Sequence, residues 1–288
     1  MTRASLGFVR ELWRKYQEDH VTILVSSLAY YTFFSFFPIL LVLTSIIGFV
    51  YGMGEEYARL PRQLLGLLPF SSEYMANALD RIIRARKSLG FFGSVLLIWS
   101  ATAAFDILQQ ILNRIHRAPA MRPLWRRRLL GLLLGLIVML FIPLSVGIAA
   151  LRPLIARTLT HPTLPGRWET ALLTLCMATL GIAFNFILLL TLYLFGPSVR
   201  RHFPQTWAGA LAGAVLWEIS KAAFGIYVQT LSSNKMLYGS IGSVIAVLLW
   251  LYVSGTIFAI GAEVNFVLAA RRERSTVAAG RGAAGRTA

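Results

Sequence analysis

The sequence predicts an all-α, polytopic membrane protein with six transmembrane helices. Of its 288 residues, 57% are hydrophobic and only 14% are charged, a composition typical of multi-pass membrane proteins. The segment 21–51 contains no Asp, Glu, Lys or Arg. It is longer than the roughly 20 apolar residues that span a hydrocarbon core. The six predicted spans are about 21–51, 89–115, 129–151, 171–195, 206–231 and 240–270.

Three segments outside the spans complete the predicted organisation. Residues 1–20 place apolar side chains at helical spacing among basic ones, which predicts an amphipathic helix in the membrane interface. Residues 52–88 mix charged and apolar positions around Pro69, which predicts a pair of short amphipathic helices that caps the extracytoplasmic face. Residues 271–288 are small, basic and rich in Gly and Ala, which predicts a disordered tail.

The distribution of basic residues predicts the orientation of the spans. Seventeen Lys and Arg residues fall on the side of both termini and ten on the other side. Cytoplasmic loops carry the excess of Lys and Arg, so both termini are expected in the cytoplasm, where anionic lipid headgroups are the predicted partners. The same distribution accounts for most of the net charge of +16, so nucleic acid is not a predicted partner.

The sequence offers little for catalysis. Its single cysteine, Cys176, excludes a disulfide within the chain. Its four histidines lie at span ends or in loops and are not spaced like a metal pair, and no nucleophile-elbow, phosphate-loop or zinc-protease motif occurs. We therefore predict a protein that is not an enzyme and that carries no metal or cofactor.

Charged side chains inside a span are candidate functional groups because each costs about 2.5 to 3.5 kcal/mol to insert. Glu218 and Lys221 lie in the middle of the fifth span at i and i+3, so their side chains can meet on one helix face. Two interpretations are balanced. The pair lines a central cavity and contacts substrate or protons, or it is a neutralised pair that fixes helix packing.

A second polar group lies toward the cytoplasmic ends of two spans. A stripe on the second span leads toward Arg114, and Glu263 lies at a similar depth on the sixth span. These side chains could line an inner vestibule, although pairing of polar helix ends with interfacial arginines is somewhat favoured. Asn185, alone in the fourth span, is expected to contact another helix. The stripe consists of Asp106, Gln109, Gln110 and Asn113.

The first span carries a predicted hydroxyl face. Ser27, Tyr31 and Ser35 recur every four residues and so share one side of the helix, beside Tyr30. Lipid tails offer hydroxyl groups no partner, so this face is expected to turn toward other helices or a cavity. Pro38 is the predicted site of a kink in this over-long helix.

Paired glycines predict close helix packing. Gly131 and Gly135 lie four residues apart on the third span, and Gly209 and Gly213 do so on the fifth. Small residues at this spacing let two helix backbones approach each other. We expect these pairs to pack inside the bundle rather than to form a dimer interface.

Three stretches together resemble the YihY/virulence factor BrkB family of bacterial inner-membrane proteins. They are SSLAYYTFFSFFPILLVL in the first span, AVLWEISKAAFGIYV in the fifth, and YGSIGSVIAVLLWLYVSGTIFAIGAEVNFVLA in the last. The resemblance implies an inner-membrane location and, for some members, links to export of envelope lipid or lipopolysaccharide and to serum resistance. Its older label, ribonuclease BN-like, finds no support in these residues. The matching positions are Tyr30, Tyr31, Ser35, Pro38, Glu218, Lys221, Tyr238, Gly239, Gly242 and Glu263, with Pro38, Gly239 and Gly242 as structural or gating candidates.

These observations favour a transporter or flippase-like protein for an amphipathic envelope substrate such as a lipid. Three spans on either side of the basic loop 114–128 would permit an inverted repeat. The alternative is a membrane scaffold or regulator of envelope assembly in which the polar groups serve helix packing only. A membrane-embedded enzyme is the least favoured interpretation.

Overall fold

A computed structural model describes residues 3–35, 103–119, 122–150, 166–233 and 235–284. Within these ranges the chain forms helices and no strands. The helices, numbered in chain order, are α1 Arg3–Glu18, α2 Val21–Ser35, α3 103–115, α4 Leu124–Ala150, α5 Gly166–Phe195, α6 Phe203–Ser233 and α7 Lys235–Ala284.

The structure confirms the predicted fold class, an all-helical membrane protein. Three helical segments within the described residues are long and apolar enough to cross a membrane: Ala178–Phe195, Phe203–Val228 and Val244–Ser275. They coincide with the last three predicted spans, while α2 is a shorter apolar helix. The count of six spans stays a prediction. The cap 52–88 and Pro38 lie outside the described residues.

The larger of two apolar clusters among the described residues joins six of the helices. α6 packs along both α5 and α7, and buried side chains from α2, α3 and α4 complete the cluster. Tyr193 is fully buried there, and its hydroxyl donates a 2.7 Å hydrogen bond to the carbonyl oxygen of Phe258. This bond ties α5 to α7 across the core.

Both predicted glycine pairs lie at helix contacts inside the bundle. A Cβ atom on Gly209 of α6 would overlap the carbonyl oxygen of Gly261 on α7. A Cβ atom on Gly135 of α4 would lie 2.8 Å from the ring of Phe105 on α3. The small residues therefore allow close helix approach, and packing within the bundle is confirmed.

The amphipathic helix α1 lies against the end of α7, and one of its basic side chains is turned inward. Trp13 is 62% exposed, while Lys15 is only 6% exposed. Glu11 accepts from the side chain of Arg271 at 2.8 Å and from Arg274 at 3.3 Å, and Arg271 lowers the pKa of Glu11. These contacts join α1 to the last helix.

The last helix continues beyond its predicted end at residue 270. It runs to Ala284 and so includes most of the segment expected to be disordered. Two causes are visible: Ala and Arg are strong helix formers, and Glu11 of α1 pairs with two arginines of the extension. Residues 271–284 are therefore helical in the structure, whereas the sequence predicted a disordered tail.

Arg122 fixes the loop between α3 and α4 to the end of α5. Its guanidinium donates to the carbonyl oxygens of Phe195, Gly196 and Pro197 at 3.3, 3.2 and 2.6 Å. These carbonyls have no partner within their own helix, so the arginine satisfies the helix terminus. This contact holds α3 and α4 against the α5 end of the bundle.

Candidate functional site

An ion pair lies at the centre of α6. Glu218 is fifteen residues from either end of the helix Phe203–Ser233, and the Nζ atom of Lys221 lies 2.8 Å from its Oε1 atom. The Lys221 side chain is 45% exposed and that of Glu218 is 18% exposed. The sequence-predicted pair therefore forms, and it is open on the lysine side.

Glu218 is held by α5. The Nδ2 atom of Asn185 donates a 3.0 Å hydrogen bond to Glu218 Oε1, so the prediction that Asn185 contacts another helix is confirmed. Gly181, one turn earlier, makes room for this carboxylate, because a Cβ atom there would lie 2.6 Å from Glu218 Oε1. One carboxylate oxygen thus accepts from both Asn185 and Lys221.

The surface of α6 also exposes aliphatic side chains on another face. Val215, Ile219 and Ile226 are all exposed on the same helix. A half-exposed ammonium group on an apolar helix is costly unless a polar or anionic group faces it. The arrangement can therefore bind an anionic group at Lys221.

A second charged cluster is sealed between α1, α3 and α7. Lys15 Nζ lies 3.1 Å from Glu263 Oε2, pairs with the carboxylate of Asp19, and donates to the Ile115 carbonyl oxygen at 2.9 Å. It also lies 4.1 Å from the centre of the Phe266 ring, a cation–π distance. Glu263 is completely buried. The structure places it against α1 rather than in an open vestibule.

His116, at the end of α3, borders this cluster. It is buried, and neither ring nitrogen has a hydrogen-bond partner among the described residues. Burial, reinforced by the positive charges of Arg201 and Lys15, lowers the pKa of His116 to about 3. The histidine is therefore neutral at physiological pH.

Sequence reasoning missed Lys15, Asp19 and His116. Lys15 and Asp19 do have a readable signal, since residues four apart on a helix are neighbours. The sequence carries no signal for the burial of these two side chains, because their burial depends on α7 covering that face of α1.

The polar stripe of α3 is largely engaged by neighbouring segments. Arg127 of α4 forms two bonds to Asp106, Nε to Oδ1 at 2.9 Å and an NH2 group to Oδ2 at 3.2 Å. Gln109 donates to the Arg127 carbonyl oxygen at 3.1 Å, and Asn113 Oδ1 accepts from the Ser198 amide at 2.6 Å. The position of Asp106 is therefore explained by its pairing with an arginine at the end of a neighbouring helix. Gln110 instead lines an open groove.

The serine hydroxyl groups of α2 are satisfied within their own helix. Ser27 Oγ donates to the Ile23 carbonyl oxygen at 3.1 Å, and Ser35 Oγ donates to that of Tyr31 at 2.8 Å. Ser35 is buried, whereas Tyr30 is exposed on the surface of the helix. The predicted stripe thus passes from the surface into the interior. Of the gating candidates, Gly239 and Gly242 lie in α7, where Gly242 is buried.

Comparison with known proteins identifies similar chains. A family model described as virulence factor BrkB matches residues 12–285. A UPF0761 membrane protein of Vibrio atlanticus is 26% identical over 94% of this chain and 85% of its own length. A putative ribonuclease-like protein, YfkH of Bacillus subtilis, is 25% identical over 93% of this chain and 97% of its own. No solved structure matches.

Proposed function

The chain belongs to the virulence factor BrkB family of membrane proteins, and from this premise we propose that it is a transporter or flippase for an amphipathic envelope lipid. The proposal includes a location in the bacterial inner membrane, six spans and cytoplasmic termini. The excess of basic residues on the side of both termini supports this orientation.

One observation carries the proposal: the Glu218–Lys221 pair lies at the centre of an apolar helix and is open on one side. A charge at the middle of a span costs about 2.5 to 3.5 kcal/mol. Glu218 offsets part of that cost, and a half-exposed ammonium group retains bonding capacity for a substrate. Substrate sites of membrane transporters lie near the bilayer midplane, at the depth that the centre of α6 would have.

The side chains of α6 support an amphipathic substrate. Lys221 can donate to an anionic headgroup, and Val215, Ile219 and Ile226 offer an exposed aliphatic surface on another face of the same helix. A lipid can contact both kinds of surface.

A second candidate is a scaffold or regulator of envelope assembly. The hydrogen bond from Asn185 to Glu218, together with the space left at Gly181, favours it, because these contacts join α5 to α6. In that case Lys221 only neutralises a carboxylate used for packing. The two candidates differ in whether replacing Lys221 removes an activity or only perturbs the fold.

An enzymatic role is not part of the proposal. The name of the Bacillus subtilis relative describes that protein as ribonuclease-like. Phosphodiester hydrolysis requires carboxylates, histidines or metal ions placed around water. Among the side chains that the structure describes, no three His, Cys, Asp or Glu residues come together as metal ligands. Absence of nuclease activity remains a prediction.

The proposal is tested by reconstituting the full chain in liposomes that contain fluorescent lipids with anionic or zwitterionic headgroups. We expect the native protein to move lipid between leaflets, and Lys221→Met and Glu218→Gln to lose this activity while inserting normally. The matched control is the exposed Arg14–Glu18 pair of α1; Arg14→Met and Glu18→Gln should leave activity unchanged. Absence of lipid movement by the native protein would remove the support for transport.

A further inference from the structure

An open groove of about 780 Å³ lies between the start of α2 and the end of α3. His20 and Ile23 line it from one side, and Gln110, Arg114 and Arg117 line it from the other. His20 directly precedes Val21, where the polar helix α1 gives way to the apolar helix α2. The groove therefore lies at a boundary between polar and apolar surface.

The lining is basic on one side and apolar on the other. Arg114 and Arg117 are exposed, and neither forms an ion pair with a residue that the structure describes. Asp19 also borders the groove, and its carboxylate pairs with Lys15. Ile23 is 66% exposed beside these charges. The surface thus presents two exposed guanidinium groups next to an aliphatic wall, and that of Arg117 also lies 5.8 Å from the centre of the Phe266 ring.

The backbone of the groove is strained at two positions. His20, with φ 51°, and Arg117, with φ 49°, are the two non-glycine residues with positive φ among the described residues. Both line this groove. The left-handed conformation costs an L-residue other than glycine about 1 kcal/mol or more.

At Arg117 the strain is of a kind that glycine would avoid. The Arg117 amide bonds to the Arg114 carbonyl oxygen at 3.1 Å, and the Ala118 amide bonds to that of Asn113 at 2.9 Å. This pair of bonds ends a helix at a left-handed residue, a position that glycine usually fills. The fold would accept glycine there more readily than arginine. The turn therefore does not require the Arg117 side chain, which instead places a guanidinium group in the groove.

We infer that this groove binds the phosphate headgroup of an anionic phospholipid. Arg114 and Arg117 donate to the phosphate oxygens, since guanidinium groups match phosphate in geometry and charge. Gln110 supplies a neutral hydrogen-bonding group, and an acyl chain lies along Ile23. The apolar wall and the position next to apolar α2 identify the source as a membrane lipid rather than a soluble anion. This site is distinct from the Glu218–Lys221 pair and does not depend on transport.

The test measures lipids retained by the purified full-length protein, using native mass spectrometry after exposure to phosphatidylglycerol or phosphatidylcholine. The native protein should retain phosphatidylglycerol preferentially. Arg117→Gly and Arg114→Gln should each lower its affinity by about tenfold, as expected for the loss of a charge-assisted bond. Arg14→Gln, at an exposed arginine outside the groove, should retain the lipid as the native protein does.

Arg117→Gly separates binding from stability. It removes the strained backbone conformation, so its thermal midpoint should equal or exceed the native value while lipid retention falls. Native-like phosphatidylglycerol binding by both Arg114→Gln and Arg117→Gly would overturn the proposal. So would displacement of the bound lipid by millimolar inorganic phosphate, because the groove would then be a site for soluble anions. If Arg117→Gly fails to fold, Arg114→Gln, which leaves the backbone unchanged, decides the outcome.

Discussion

Two regions of the described structure contain lysine–carboxylate contacts that differ in their surroundings. Lys15 and Glu263 join α1 to α7 with 7% and 0% of their side chains exposed, whereas Lys221 and Glu218 lie on one helix with 45% and 18% exposed. In the first pair the ammonium group of Lys15 is also occupied by Asp19, Ile115 and Phe266, so no exposed cation is left there. The second retains a half-exposed ammonium group.

This difference separates a structural use of charge from a functional one. A buried charge whose partners are all supplied by the protein fixes the arrangement of helices but cannot bind anything else. A charge at the centre of an apolar helix that remains half exposed can still bind a substrate. We therefore expect replacements in the sealed cluster to affect stability and replacements in the open pair to affect activity.

The largest expected effect is that of Lys15→Met. The substitution leaves the carboxylates of Asp19 and Glu263 buried without their cation, and loss of one partner of a buried ion pair costs about 3 to 5 kcal/mol. Unfolding in mixed micelles would measure this free energy. Arg14→Met, at an exposed neighbouring position, is the control and should change stability by less than about 1 kcal/mol.

Adding Glu263→Gln to Lys15→Met should recover part of the lost stability, because one of the two unpaired carboxylates is then neutral. If Lys15→Met lowers the unfolding free energy no more than the Arg14 control does, the sealed cluster does not stabilise the docking of α1. The proposed structural role of the Lys15–Glu263 pair would then be wrong.

His116 is expected to give the next largest effect, as a dependence of stability on pH. In the unfolded chain this histidine binds a proton near pH 6.5, but in the folded protein only near pH 3. Between these values the unfolded state carries more protons, so stability falls as pH falls. Linkage predicts a loss of about 2 kcal/mol between pH 6.5 and pH 5.

The measurement for His116 is the unfolding free energy at several pH values, compared with His116→Gln, which does not titrate. The difference between the two proteins should grow as the pH is lowered, because other titrating groups contribute equally to both. Parallel curves would show that protonation of His116 does not destabilise the fold.

The apolar pattern made the helices predictable, but not the sealed cluster. α5, α6 and α7 contain spans that follow directly from segments with few charges, and the glycine pairs indicated close packing. Lys15 lies on a helix whose charges resemble an ordinary solvated face. Its burial depends on Glu263, far away in the sequence, and on the docking of α1 against α7. Sequence spacing within one helix carries no such information.

The open pair shows the converse case. Glu218 and Lys221 were identified because a charge inside an apolar run stands out and because i, i+3 spacing brings the two together. The spacing alone does not indicate whether Glu218 or Lys221 faces outward. That depends on Asn185 and Gly181 of α5, which accommodate the carboxylate and leave the lysine at the surface.

Asp106→Asn should have an intermediate effect. Its carboxylate forms two bonds with Arg127, but both side chains are partly exposed, 21% and 17%. Water can therefore replace some of the lost interaction, and we expect a destabilisation of about 1 to 2 kcal/mol. The same unfolding measurement tests this value. A loss as large as that of Lys15→Met would mean that exposure does not distinguish the two contacts.

Lys221→Met should have the smallest effect on stability. Its removal leaves Glu218 without its cation but also takes a charged group out of the apolar helix, so the two effects offset each other and the unfolding free energy should change by about 1 kcal/mol or less. Glu218 keeps the hydrogen bond from Asn185, which preserves the contact between α5 and α6. Lipid movement in liposomes should nevertheless be lost, because the anionic headgroup loses its donor. A variant that is stable and inactive would place the pair in the substrate path, whereas one that is unstable would assign Lys221 to the packing of α6 and favour the scaffold.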